Sequence, residues 1–88
     1  MTIKVQLLVS EWCAPCRGAE EIWQQIAQKK AIAFEVLDVG QREGRTIVAH
    51  LGVKTVPATV IDGRHLVSGA QPVEVYEQAL RQALGGGG

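Results

Sequence analysis

The two cysteines of this chain stand three apart in Trp12-Cys13-Ala14-Pro15-Cys16-Arg17, where an apolar run gives way to a long amphipathic pattern. No other feature limits the possible folds as strongly. A cysteine at the start of a helix faces backbone N–H groups with no intrahelical partner and the positive end of the helix dipole, and both favour thiolate over thiol. Cys13 has that position. Pro15 falls in the first turn, where its missing N–H costs nothing and its fixed φ is already helical. One turn on, Cys16 returns beneath Cys13, so the pair can close a small disulfide ring or open to a dithiol.

In such an arrangement the exposed, acidified Cys13 attacks a partner disulfide and Cys16 resolves the mixed disulfide. Arg17 adds a positive charge beside the pair, or is a solvated surface residue. Trp12 offers a flat apolar wall for a substrate strand, or is a partly buried ring. Three classes of function are compatible with the pair. The first is a dithiol–disulfide oxidoreductase. The second is a metal module in which Cys13 and Cys16 give two of four zinc ligands, with His50 and His65 as the remaining candidates, whose spacing fits no common zinc pattern. The third is a redox-inert binding domain. Cysteine-protease chemistry is not supported, since no histidine is placed to pair with Cys13 and the chain lacks room for a cleft.

At 88 residues the chain is expected to form one domain with a small, efficiently used core. Its formal net charge is zero, so nothing recommends nucleic acid or an acidic membrane surface as partner. A basic stretch leading into an apolar leader is absent, as is an apolar run of bilayer-spanning length, and the expected location is the cytoplasm. In a reducing compartment, cysteines this close are catalytic or metal-binding rather than a structural staple. A monomer is the expected state.

Along the chain, Ile3 to Val9 opens with alternation and closes in Leu7-Leu8-Val9, the run of a central strand covered on both faces. After the cysteines, Ala19, Ile22, Trp23, Ile26 and Ala27 recur at helical spacing, with Lys29 and Lys30 in the last turn, where cations complement the dipole. Ala33 to Val39 reads as a second strand, parallel to the first through a right-handed helical crossover. A shorter helix is predicted from about Glu43 to Leu51, with Ile47, Val48 and Leu51 inward, His50 in its last turn and Gly52 as its stop. Ala58 to Ile61 and His65 to Ser68 form a hairpin about Asp62-Gly63, read as a two-residue turn. Pro72 fits the first position of a final helix carrying Val73, Tyr76, Leu80 and Leu84, with Ala79 and Ala83. Gly85 to Gly88 reads as a flexible tail beyond a domain of residues 1–84. The order β-α-β-α-β-β-α implies a four-stranded mixed sheet between helices, a three-layer α/β fold.

The Trp12 to Arg17 stretch resembles the thioredoxin active-site sequence Trp-Cys-Gly-Pro-Cys-Lys, with Ala14 for Gly and Arg17 for Lys. Val56-Pro57 resembles that family's proline loop opposite the disulfide, and Thr55 to Gly63 is also similar to the corresponding stretch of glutaredoxins. The likeness extends to Leu84. It implies a thioredoxin-like fold of glutaredoxin size, because the strand leading to the cysteines begins at Ile3, where thioredoxins carry an extra strand and helix before it. It also implies a cis Val56-Pro57 bond, against the roughly one in twenty X-Pro bonds that are cis in folded chains. The implied activity is reduction of protein or small-molecule disulfides, without cofactor or metal. Cys13 and Cys16 would be catalytic, Trp12, Val56, Pro57 and Gly69 would bind substrate, and Ala14, Pro15 and Arg17 would tune the thiols. The implied partners are disulfide-containing proteins and an upstream reductant: a thioredoxin reductase, glutathione or a dedicated donor. Pro15 between the cysteines, with no histidine there, points to the reducing side of the family. Two departures stand out. Leu7 occupies the position of the buried Asp that thioredoxins carry six residues before the first cysteine. Ser68-Gly69-Ala70-Gln71 replaces the Gly-Gly-x-x-Asp by which glutaredoxins hold glutathione, which argues against its use.

Overall fold

The computed structural model describes residues 2–85, from which the elements run β1 (Ile3–Val9), α1 (Ala14–Lys29), β2 (Ile32–Asp38), α2 (Arg42–Leu51), β3 (Ala58–Ile61), β4 (His65–Ser68) and α3 (Val73–Leu84). The strands form one sheet in the order β2-β1-β3-β4, with β1 and β2 parallel and the other pairs antiparallel. This is the predicted three-layer arrangement with its four-stranded mixed sheet.

The alternation of β1 divides the interior in two. Ile3, Val5 and Leu7 face α1 and α3, where they pack with Ala19, Trp23, Ile26, Ile61, Tyr76, Leu80 and Ala83. Leu8 faces the other way, joining Ala58 and Val60 beneath Ile47, Val48 and Leu51 of α2. The uninterrupted apolar end of β1 thus reflects a central strand with cover on both sides. Gln6 also turns toward the α2 side and is buried, with its amide donating to the Glu35 carboxylate at 2.9 Å.

Several local expectations shift. β2 starts one residue earlier than Ala33 and ends before Val39, and α2 starts at Arg42, both within the fraying expected of element ends. Gly52 closes α2 at φ +67, the left-handed conformation that a residue without Cβ adopts freely. Asp62 and Gly63 both take positive φ, as a primed turn requires. The hairpin, however, is one residue longer than a two-residue loop: Ile61 pairs with His65, leaving Arg64 outside the ladder. That extra residue sets which way β4 faces. It places Val67 opposite Thr59 on the main-core side, whereas a one-residue slip would turn it to the α2 side.

Pro72 is the N-cap of α3, with ψ 161, rather than its first helical residue. Tyr76, Leu80 and Ala83 face inward, but Leu84 is 63% exposed. At about 100° per residue, a helix that buries positions 76, 80 and 83 carries position 84 well off that face. Gly85 ends the helix with its N–H on the Arg81 carbonyl at 2.8 Å, and the rest of the predicted glycine tail, 86–88, lies outside the described residues. No helix among the described residues is long and apolar enough to cross a membrane.

Candidate active site

β1 delivers the chain through Ser10 and Glu11 to Cys13, the N-cap of α1 in extended backbone geometry (φ −106, ψ 98). Cys13 and Cys16 form a disulfide with their Cα atoms 5.3 Å apart. The Cys16 N–H points back across the turn, 3.1 Å from the Cys13 sulfur and 3.2 Å from the Cys13 carbonyl oxygen. Sulfur therefore fills the role that a Ser or Asp oxygen plays at an ordinary N-cap, accepting a backbone N–H that has no helical partner. The first turn holds no acidic residue to offset the positive end of the helix.

The two sulfurs differ in access. Cys13 is partly exposed, whereas Cys16, rotated onto the inner face above Ala19 and Trp23, is 4% exposed. Around Cys13, a shallow cavity of about 310 Å³ is lined by Glu11, Trp12, Ala14 and Arg17. Trp12 is 92% exposed, which removes the reading of a partly buried ring. Ala14, Pro15 and Arg17 are also exposed.

Sheet register brings the second loop to the same end. Leu8 of β1 lies opposite Ala58 of β3, and Ala58 lies opposite Ser68 of β4. The segment after β1, which becomes the cysteine turn, therefore leaves the sheet alongside the segment before β3, Thr55 to Pro57, and the segment after β4, which begins at Gly69. The Val56-Pro57 bond is cis, as the resemblance implied. Pro57 is buried and its carbonyl accepts the Gly69 N–H at 2.8 Å. Val56 is partly exposed, and neither of its backbone polar groups has a hydrogen-bond partner among the described residues.

Other candidates fall elsewhere. His50 lines a cavity of about 590 Å³ between α2 and the sheet, with Gln6, Ile47, Leu51 and Val60, while His65 opens β4. Among the described residues, no three His, Cys, Asp or Glu side chains converge in a way that could hold a metal ion. The larger cavity is lined by neither cysteine, whereas the smaller one includes Cys13. Leu7 is completely buried between Val36 and Thr59. Two polar contacts near the site are not legible in the sequence: the buried Trp23 to Thr59, and the partly buried Tyr76 to the Gly69 loop. The available signal was a Tyr and a Trp at core spacing, since a buried ring of either kind needs a partner for its polar atom.

The family model for the thioredoxin domain matches residues 1–82. The chain belongs to the thioredoxin family. With its two cysteines joined at the helix start, it is a dithiol–disulfide oxidoreductase of that family. It is 27% identical over 84 residues to a probable thioredoxin of Archaeoglobus fulgidus, covering 96% of this chain and 92% of that one. Over 82 residues it is 27% identical to a thioredoxin of Methanocaldococcus jannaschii, covering 93% and 96%. A solved mutant thioredoxin from Halobacterium salinarum superposes with a TM-score of 0.76 at 25% identity, covering 92% of this chain and 73% of that one. The Archaeoglobus fulgidus and Methanocaldococcus jannaschii relatives are thus nearly covered by this chain, whereas the Halobacterium salinarum thioredoxin extends beyond it.

Proposed function

We propose that this thioredoxin-family protein works as a reductant of protein disulfides, with Cys13 as attacking thiolate and Cys16 as resolving thiol. One observation carries the assignment: the Cys13 sulfur is the partly exposed one and already accepts a backbone N–H at the start of α1, whereas Cys16 is shut in behind it. In the reduced form the same N–H stabilises negative charge on Cys13.

The cycle balances in two displacements. The Cys13 thiolate attacks one sulfur of the substrate disulfide, forming a mixed disulfide and expelling the other sulfur as thiolate. Cys16 gives up its proton, and its thiolate attacks the Cys13 sulfur, closing the Cys13–Cys16 bond and releasing the second substrate thiolate. Two electrons pass from the protein dithiol to the substrate. A separate reductant must then restore the dithiol; a thioredoxin reductase or a dedicated donor fits better than glutathione, given Ser68-Gly69-Ala70-Gln71. With Leu7 in place of a carboxylate, water or the departing substrate thiolate must take the Cys16 proton.

Trp12 forms one wall for substrate, and the unpartnered backbone of Val56 offers it an edge for β-type hydrogen bonds, with Pro57 and Gly69 behind. Ala14, Pro15 and Arg17 shape the electrostatics and stiffness of the turn. The reducing cytoplasm is the compartment in which such a dithiol operates.

The test is reduction of insulin disulfides. Cys13→Ser abolishes turnover, and Cys16→Ser accumulates a mixed disulfide through Cys13 that mass spectrometry locates. Full activity in Cys13→Ser would reverse the assignment. Supplying thioredoxin reductase with NADPH, or glutathione, in parallel assays identifies the donor class.

A further inference from the structure

The ring of Tyr76 is fully buried in α3, 4.8 Å from the ring of Trp23 on the cysteine-bearing helix, yet its hydroxyl leaves the core for a loop. It donates to the Gly69 carbonyl at 3.3 Å and accepts the Gln71 N–H at 3.2 Å. Gly69 in turn donates its own N–H to the Pro57 carbonyl at 2.8 Å. The Gln71 side chain closes the loop on itself, donating to the Ser68 carbonyl at 2.9 Å. A phenylalanine would fill the same space in the core, so packing accounts for the ring and leaves the hydroxyl to be explained.

Gly69 is bonded on both sides, by its carbonyl to α3 and by its N–H to the residue after Val56. Anything that fixes Gly69 therefore fixes where Pro57 and Val56 lie. An edge already ordered before substrate arrives avoids the entropy cost of ordering it during binding.

We infer that Tyr76 is a positioning residue for extended peptide substrates: its hydroxyl holds Gly69, Gly69 holds Pro57, and the Val56 edge is thereby kept ready to pair with a substrate backbone. The inference rests on the substrate-binding role proposed for Val56. It distinguishes two kinds of substrate. A disulfide within a polypeptide uses the edge, while a small disulfide without a peptide backbone reaches Cys13 without it.

The experiment compares single-turnover oxidation of the pre-reduced protein by insulin and by the small aromatic disulfide dithionitrobenzoate. In Tyr76→Phe, the second-order rate constant for insulin falls about fivefold as the hydroxyl's ordering bonds to Gly69 and Gln71 are lost, while the dithionitrobenzoate rate stays at the wild-type value. Gln71→Ala, which loosens the same loop without touching the core, shifts the ratio of the two rates in the same direction. A purely structural hydroxyl would lower both rates together or neither, and an unchanged ratio in both variants overturns the inference. If circular dichroism shows Tyr76→Phe unfolded, the Gln71→Ala ratio alone decides. A wild-type protein that reduces neither substrate instead refutes the oxidoreductase reading, and the role of Tyr76 goes with it.

Discussion

The Trp23 indole N–H donates to the Thr59 hydroxyl at 3.0 Å, with both side chains at 0% exposure. This bond ties α1, the helix that carries both cysteines, to β3, whose N-terminal end leads back to Val56-Pro57. Thr59→Val keeps the shape but leaves the indole N–H buried without an acceptor, at a cost of about 1–3 kcal/mol. For a domain of this size, the melting temperature falls by roughly 4–8 °C per kcal/mol. Thr59→Ser, which retains the oxygen, loses less. Adding Trp23→Phe to Thr59→Val costs less than the sum of the two single changes, because the donor leaves with the acceptor. Thermal melts of the four variants check the cycle.

Gly44 predicts a reversal of the usual helix rule. Replacing Gly by Ala inside a helix ordinarily stabilises by about 1 kcal/mol. Here α2 passes so close to the end of β2 that an added Cβ would fall on the Asp38 carbonyl oxygen, with the carbonyl carbon at 2.8 Å and the Val39 Cα at 3.1 Å. Backbone cannot step aside as a flexible side chain can. Gly44→Ala is therefore expected to destabilise by about 1–3 kcal/mol, the range for overpacking, and denaturant unfolding measures it. A stabilised Gly44→Ala protein would mean that α2 sits farther from β2 than described.

These two contacts also mark where the sequence stopped being informative. The frame was legible because it is written in periodicity: the apolar run of β1, the 3.6-residue stripe of α1 and the breaker at Gly52 each follow from local pattern. The cysteine turn was legible because helix-start chemistry is local too. What escaped depends on how elements pack against one another in space, whether six residues apart or thirty-six. Nothing near Gly44 says that Asp38 lies against it. Asp62-Gly63 identifies a turn, yet the placement of Arg64 outside the ladder depends on which side of the sheet Val67 packs. Leu84 continues the run of apolar residues in α3, yet its angle from Tyr76, Leu80 and Ala83 carries it off the buried face. The partners of Tyr76 and Trp23 lie in the Gly69 loop and on β3, and spacing alone names neither.

Trp12 tests whether exposure at the site reflects use. A side chain 92% open to solvent has little packing to lose, so Trp12→Ala should leave the melting temperature within the scatter of surface substitutions, about 0.5 kcal/mol. Its expected effect is on substrate. Reduction of insulin slows several-fold as KM rises, because the apolar wall beside Cys13 is gone. Equal loss of stability and activity would show instead that the ring supports the turn.

The electrostatics of Cys13 yield the prediction with the clearest sign. In the reduced protein, its thiolate gains the Cys16 N–H and the positive end of α1, so Cys13 titrates below the free-cysteine value of about 8.5. Cys16 is buried, which disfavours charge, and is expected to titrate above that value. Alkylation of the reduced protein by iodoacetamide should therefore rise with pH and level off in a first step belonging to Cys13, with Cys16 reacting only at higher pH. Below the first step the rate falls tenfold per pH unit as thiolate is lost. Arg17→Glu replaces a nearby positive charge with a negative one and moves the first step upward. With about 0.3–1 kcal/mol for a charge in the first turn, the expected shift is a few tenths of a pH unit or more. A first step that belongs to Cys16, mapped by mass spectrometry of the alkylated peptide, would exchange the roles of the two sulfurs.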